Sequence, residues 1–355
     1  MAGWRIWIED GLLYTRLGLI GSVLVLALTA CNSERTLGLD TDARFQPSAT
    51  GEDTYAVIDL GTLDPVCAAP QYCYSWPGGI NEAGSAVGWS KGASVSVEAF
   101  LWAGGKTTGL GAWGGGSSQA TDINEHGQVV GSAMTVGSSF HAVLWDNGVF
   151  TELPTLGGQF SEALAINNAG VAVGFSTDIS GTYRGVIWQR GDVMPIAGLE
   201  IATDINGSGH VVGQTPSGRP ALWKNGSLVQ LTNAPGQAFG INDAGQIVGA
   251  YVAPSGEQHA FLWTAGTLTD LGVANETSEA RAINNRGQVV GWVDAGGVTQ
   301  PVLWDADTRI ELPNPGGSYG MAVDISNSGT ILGSGSFTWG GTHALIWAQS
   351  SRSRD

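Results

Sequence analysis

Residues 120–131 read "ATDINEHGQVVG", and close copies stand at 163–174 ("ALAINNAGVAVG"), 202–213 ("ATDINGSGHVVG") and 280–291 ("ARAINNRGQVVG"). In each copy a short run ends at Ile-Asn, an Asn-x-x-Gly segment follows, and a second β-prone run resumes. Asn at the first and Gly at the fourth position suit a type I turn, the Gly providing positive φ. Each copy therefore encodes two antiparallel strands joined by a tight turn. Aligned on Ile-Asn, the chain holds seven units, at Asn81, Asn124, Asn167, Asn206, Asn242, Asn284 and, with serine in the asparagine's place, Ser326.

A second marker, an aliphatic residue followed by Trp, also recurs: Trp102, Trp145, Trp188, Trp223, Trp263, Trp304 and Trp347. Its mean spacing of about 41 residues is that of a β-propeller blade. A third strand ("HAVLW", "HAFLW") leads into turns such as "WDNG" and "WKNG", and a fourth is read in "FTELPTLGG" or "LTDLG". Before the first Ile-Asn stands an unpaired fourth-strand copy, "YAVIDLGTL" at 55–63, and nothing like it follows Trp347. This split predicts an all-β fold, a seven-bladed β-propeller of four-stranded blades closed by the N-terminal strand, which completes the last blade and hides the sheet edges. A solenoid of the same units is the alternative that the split disfavours. Ala stands four residues before the marker in six of the seven copies, as expected where sheets converge on an axis.

The co-occurring Ile-Asn-x-x-Gly and Leu-Trp columns, with His259-Ala260-Phe261 and its variants at His141, Glu98 and His343, resemble the HAF-repeat family of extracellular repeat proteins. The resemblance covers Tyr55 to about Trp347. It implies an exported repeat protein and no particular activity.

Composition agrees with export and with strands. The chain has 355 residues, 55 of them Gly, only 13% charged, and a formal charge of −16. So acidic a chain repels phosphate backbones, so no nucleic acid partner is expected. An apolar run at 17–28 leads into "LTAC" at 28–31, too short a run for a comfortable membrane span. The tetrapeptide resembles the lipobox of bacterial lipoproteins. That resemblance implies cleavage before Cys31, lipidation of its thiol, and, with Asn32 rather than Asp following, placement in the outer membrane. The expected organisation is a signal peptide over 1–30, a lipid-anchored flexible tether over 31–54, the propeller over 55–349 and a disordered tail over 350–355. Two cysteines remain, Cys67 and Cys73, and an even remainder in an exported chain favours a disulfide.

Candidate sites are few. "GLGAWG" at 109–114 opens no helix, and "GGSYG" at 316–320 lacks the strand–turn–helix that a nucleophile elbow around Ser318 needs. His141, His259 and His343 share one column, one per unit, and are read as solvated strand starts rather than ligands of one metal. Asp122, Asp204 and Asp324 precede the turn by two residues; they are read as acceptors for nearby turn N–H groups, with a cation across the axis as the alternative. No metal and no cofactor is expected. Outside the repeated Trp column and the leader stand Trp76, Trp89, Trp113, Trp292 and Trp339. Trp76, Trp89, Trp292 and Trp339 map to the face that carries the long, variable loops, where function usually lives, and Trp113 joins them as a ligand-binding candidate, although Leu156 in its column suggests packing. They suit stacking on sugar rings; the alternative is that they plug gaps between loops, as Phe175 and Ala250 in the column of Trp89 and Trp292 suggest.

The expected function is a lipid-anchored, monomeric binding or scaffolding module for carbohydrate. The alternatives are a glycan-active enzyme (glycosidase or lyase) and an envelope protein-assembly scaffold. An enzyme should show convergent acids, whereas Asp64, Glu98, Asp178, Glu257 and Asp294 are scattered over loops.

Overall fold

The computed structural model describes residues 55–64, 74–91 and 97–349, together with the short strands Ile8–Glu9 and Leu12–Leu13. The leader, Cys31, the tether, and Cys67 and Cys73 lie outside the described residues. The chain divides into two units, Met1–Asp42 and Ala43–Asp355. In the first, Ile8–Glu9 pairs antiparallel with Leu12–Leu13.

Among the described residues of the second unit every regular element is a β-strand. Five four-stranded antiparallel sheets follow one another in the chain, each with its strands in sequence order. The repeat at 120–131 shows how one is made. Ser118–Ile123 turns at Asn124 into Val129–Met134, which pairs with Phe140–Asp146, which pairs with Val149–Glu152. Gly127 N–H donates to the Asn124 carbonyl at 3.1 Å, and Gly127 has φ 76°, so the turn is the one the motif encodes. The third and fourth strands are joined by Asn147 and Gly148, both at positive φ, the hairpin geometry that matches strand twist.

A sixth, eight-stranded sheet holds the rest. One half is Thr277–Ile283, Val289–Ala295, Val298–Asp305 and Thr308–Glu311; the other is Gly316–Ile325, Ile331–Phe337 and Thr342–Gln349. A single parallel bridge, Thr299 with Tyr319, joins the halves. The second half acquires its fourth strand from the start of the unit: Tyr55–Asp59 pairs antiparallel with Thr342–Gln349, Tyr55 opposite Gln349 and Asp59 opposite Leu345. The expected strand over 55–63 therefore ends at Asp59, where the Asp59 carboxylate caps Gly61 N–H and turns the chain.

Counting the halves separately, the first strands of successive sheets pack against one another, and that of the last half packs against that of the first sheet. The cores lie between sheets. Val130 and Ala142 of the second sheet bury against Ala163, Ala172 and Trp188 of the third, and the other junctions repeat this scheme. The Trp column belongs to these cores: Trp347, Trp188, Trp145 and Trp304 are buried, and Trp188 and Trp347 donate their indole N–H to Pro154 and Pro313 carbonyls. Ala four residues before the marker is buried in all six copies that carry it.

The repeated Asn holds neighbouring sheets together. Its Nδ2 donates to the backbone carbonyl of the equivalent residue in the next sheet: Asn81 to Asn124, Asn124 to Asn167, and so on to Asn284 and Ser326, at 3.0–3.2 Å. The residue after it forms a second series. In most units its backbone N–H reaches a side-chain acceptor one unit on, as Glu82 to Glu125, Glu125 to Asn168, Asp243 to Asn285 and Asn285 to Asn327; Asn168 has no such acceptor, because the next unit has Gly207 there.

Candidate functional site

The first sheet opens with Ser75–Ile80 and Ala86–Lys91, in which Trp76 and Trp89 lie directly opposite each other. Cross-strand partners share one face of the sheet, and the two rings stack with centroids 6.0 Å apart at 29°. Tyr74 sets its edge on Trp89 at 5.7 Å and carries the Lys91 ammonium 5.9 Å from its ring centre. Tyr319, from the last half-sheet, meets Trp76 edge-on at 6.0 Å. Trp76 and Trp89 are half-buried, so each keeps some ring surface for a ligand.

Tyr74 also forms an isolated parallel bridge with Thr342, which stands beside His343. There Trp339, 45% exposed at the tip between Ile331–Phe337 and Thr342–Gln349, lies parallel to Phe337 at 5.1 Å. His343 sets its edge against both rings, and its Nδ1 lies 2.8 and 2.9 Å from the two Asp59 oxygens. Gly341 runs against the Trp339 ring, where any Cβ would collide with it. The two aromatic groups thus flank one seam where the first sheet meets the last half-sheet, joined through the Tyr74–Thr342 bridge.

Trp292 approaches this seam from the neighbouring half-sheet. It lies opposite Glu279 on one side and Pro301 on the other, and its indole N–H is buried without a partner among the described residues. Pro301 presses on Gly320, next to Tyr319. Beside Tyr319, Glu279 accepts from Arg281 Nη1 at 2.7 Å and from Gln258 Nε2 at 3.1 Å, while the guanidinium lies 4.7 Å from the Phe239 ring centre. Burial pushes the Tyr319 phenol up to about 12; the Arg281 charge opposes that rise and the Glu279 charge adds to it. Trp113 does not belong to the seam. It packs against Phe150 at 5.8 Å on the core between the first and second sheets, filling the column where the next unit has Leu156. The sequence reading missed Tyr74, Tyr319, Phe337 and the Glu279–Arg281 pair. Tyr319 sits inside the "GGSYG" stretch, where attention falls on Ser318, which lies within the ten-residue strand Gly316–Ile325 and on no elbow.

Two other readings are corrected. The histidine column is not a row of solvated strand starts. His141, His259 and His343 each point Nδ1 at a carboxylate on the adjoining outer strand, Glu152, Asp270 and Asp59 in turn, and His259 is only 6% exposed. The three aspartates accept strand rather than turn N–H groups, and they do so across junctions. Asp122 accepts from Ile123 and from Ile166 of the next sheet, Asp204 from Ile205 and Ile241, and Asp324 from Ile325 and Ile80. Among the described residues no group of His, Cys, Asp or Glu is arranged to hold a metal ion. Of the acids read as lying on loops, Glu98, Asp178 and Asp294 lie on strands, and they are engaged locally: Glu98 accepts from Gly111, Asp178 from Ser180, Thr182 and Arg184, Asp294 from Gly297 and Thr299, and Glu257 from Asn275.

No family model and no curated protein matches the chain. Among solved structures it is similar to the β-propeller domain of the Trilobed protease from Pyrococcus furiosus, with a TM-score of 0.55 and 7% identity over 80% of this chain and 99% of that one. It is also similar to YCF48 bound to D1 peptide, with a TM-score of 0.52 and 11% identity over 87% and 100%. A third is a puromycin-hydrolyzing peptidase of Mycobacterium tuberculosis, with a TM-score of 0.51 and 12% identity over 78% of this chain and 52% of that protein, about half its length. At such identities the likeness shows the fold alone, an all-β propeller.

Proposed function

We propose that this chain is a closed seven-bladed propeller of the HAF-repeat kind, held on the cell envelope by lipid at Cys31, that binds carbohydrate at the aromatic seam. The seven-blade count is supported by the seven Ile-Asn/Ser markers and by the single bridge joining the two halves of the large sheet. Closure is supported by bonds from the seventh unit to the first. Asp324 accepts from Ile80, Glu82 accepts from Asn327 and Ser328, and Ser75 Oγ accepts from Ala344.

The observation that carries the binding role is the row Tyr319–Trp76–Trp89–Tyr74, with the Phe337–Trp339 stack beyond the Tyr74–Thr342 bridge. Flat apolar rings fringed by polar groups suit the faces of sugar rings, each contact contributing about 1 kcal/mol. Trp339 is exposed, so Trp339→Ala should leave the melting temperature within a few degrees of wild type while lowering glycan affinity several-fold in calorimetric titration. Unchanged affinity in both Trp339→Ala and Trp76→Ala would remove the seam as the binding surface. A peptide ligand is the second reading, favoured by the half-burial of Trp76 and Trp89, which suits apolar side chains, and by the structural likeness to YCF48, solved with D1 peptide. A chain that binds no glycan on an array but retains an extended peptide would favour it. For the anchor, Cys31→Ser should move the protein from the detergent to the aqueous phase of a Triton X-114 partition; wild type already in the aqueous phase would refute lipidation.

A further inference from the structure

The seam does not stop at Tyr319. From Trp76 the edge-on contact leads to Tyr319, whose neighbour Gly320 packs against Pro301; Pro301 lies opposite Trp292, Trp292 lies opposite Glu279, and Arg281 lies in turn on the Phe239 ring. We infer that the Glu279–Arg281 pair is the polar end of the binding surface and recognises two adjacent hydroxyls of a neutral sugar. This inference rests on the glycan reading above.

The repeat itself does not need an arginine at 281, whereas Glu279 shares its column with Glu162 and Gln237. Glu279 and Arg281 stand five and three positions before Asn284. At the latter position Thr121 and Thr203 use their hydroxyls to hold the next sheet, donating to the Ala163 and Ala238 carbonyls at 2.6 and 2.7 Å. Arg281 performs no such lock. Among the described residues its guanidinium makes one side-chain hydrogen bond, to Glu279, although it carries five N–H donors. It is 28% exposed on the side chain. The pair is also held in place from the preceding sheet: Gln258 fixes the second Glu279 oxygen and Phe239 supports the guanidinium plane. A preorganised group loses little freedom when a ligand arrives.

The chemistry selects the ligand class. A planar guanidinium presents parallel donors, and a carboxylate beside it presents acceptors. Two neighbouring sugar hydroxyls each donate and accept, so one can receive from Arg281 while the other gives to Glu279. The pair has no net charge, and the whole chain carries −16, which disfavours uronate or sulfated sugars. An aromatic platform with a donor–acceptor pair at its end therefore fits a neutral glycan with vicinal hydroxyls.

The test is an array of neutral, sulfated and uronate-bearing oligosaccharides probed with the full chain, followed by titration of the best binder. Arg281→Ala and Glu279→Gln should each weaken binding of a neutral glycan at least tenfold, with melting temperatures within a few degrees of wild type. If Trp76→Ala and Trp339→Ala lose binding while Arg281→Ala keeps it, the diol subsite is overturned and the glycan reading stands. Preferential binding of uronate or sulfated glycans, abolished by Arg281→Ala, would overturn it differently, making Arg281 an anion receptor. No binding to any class would overturn both readings. Should Arg281→Ala unfold the chain, Arg281→Lys, which keeps charge and loses the planar fork, decides: wild-type affinity overturns the inference and a loss of tenfold or more upholds it.

Discussion

A primary amide can donate two hydrogen bonds and accept two, and Asn124 uses all four. Its Oδ1 accepts from His126 and Gln128 N–H at 3.0 Å, and its Nδ2 donates to Gln128 Oε1 and to the Asn167 carbonyl of the next sheet. Aspartate cannot donate and serine cannot reach, so asparagine is the residue that closes the turn and ties two sheets at once. Being buried, Asn124 should cost about 2–3 kcal/mol when changed to Ala, because the N–H groups and the carbonyl lose their partners; a melting curve unchanged by this substitution would contradict the role. Ser326 keeps the turn, accepting from Thr330 N–H at 3.1 Å, but its hydroxyl bonds Ser328 and supplies no link onward. Ser326→Asn should supply a donor for the Asn81 carbonyl and stabilise the protein by about 1 kcal/mol, a rise of a few degrees in melting temperature.

At the scale of the strand, the first strands carry carboxylates that bind two sheets through main-chain N–H groups. Burial raises all three aspartates: Asp122 lies well above the usual range, helped by the Asp324 and Asp204 charges, Asp204 is pushed up to about 7 and Asp324 to about 6. Glu162 is likewise raised to about 7 by burial. Folded pKa values above those of the unfolded chain mean that the folded state holds more protons between about pH 4 and 7. The stability these groups contribute is therefore full below about pH 4 and lost as the pH rises through 7. Asp178, lowered to about 2 chiefly by its bond from Ser180, has the opposite sign and acts only at more acid pH. The melting temperature should accordingly be higher at pH 5.5 than at pH 8, and calorimetry of Asp204→Asn should show a flatter dependence. A wild-type melting temperature that rises from pH 5.5 to 8 would refute the assignment.

For the whole molecule the decisive element is the strand Tyr55–Asp59. It covers the edge of Thr342–Gln349, and Tyr55 and Val57 pack on the cluster that holds Trp347. Beyond it, Leu60 N–H bonds the Ala344 carbonyl and the Leu60 carbonyl accepts from Thr107, tying the last half-sheet to the first sheet. A chain beginning at Leu63 exposes that edge and the apolar groove beneath, and should aggregate, whereas one beginning at Thr54 should remain a monomer on size exclusion. Equal thermal melts for the two would dismiss the strand as a closing element. Tyr55 faces Gln349, at the end of the last strand remote from Trp339, so Tyr55 lies on the tight-turn side and the aromatic seam on the other.

What the sequence determined by itself was everything that repeats. Strand period, the Asn-x-x-Gly turn and the recurring Ala and Trp columns are local patterns printed many times, and each copy corroborates the others; the unpaired strand, read over 55–63, is the fourth-strand pattern met once more. What only the tertiary structure decided was contact between residues that do not repeat. Trp76 and Trp339 were legible as exceptions to the pattern, but nothing in their spacing placed Tyr319, 243 positions from Trp76, against its ring. Asp122, too, could be read as an acceptor, yet which N–H it accepts depends on where the next sheet packs. The repeat fixes each sheet through short-range bonding and periodic burial; the aromatic contacts arise where the last copy packs on the first, and that packing depends on residues at opposite ends of the described chain.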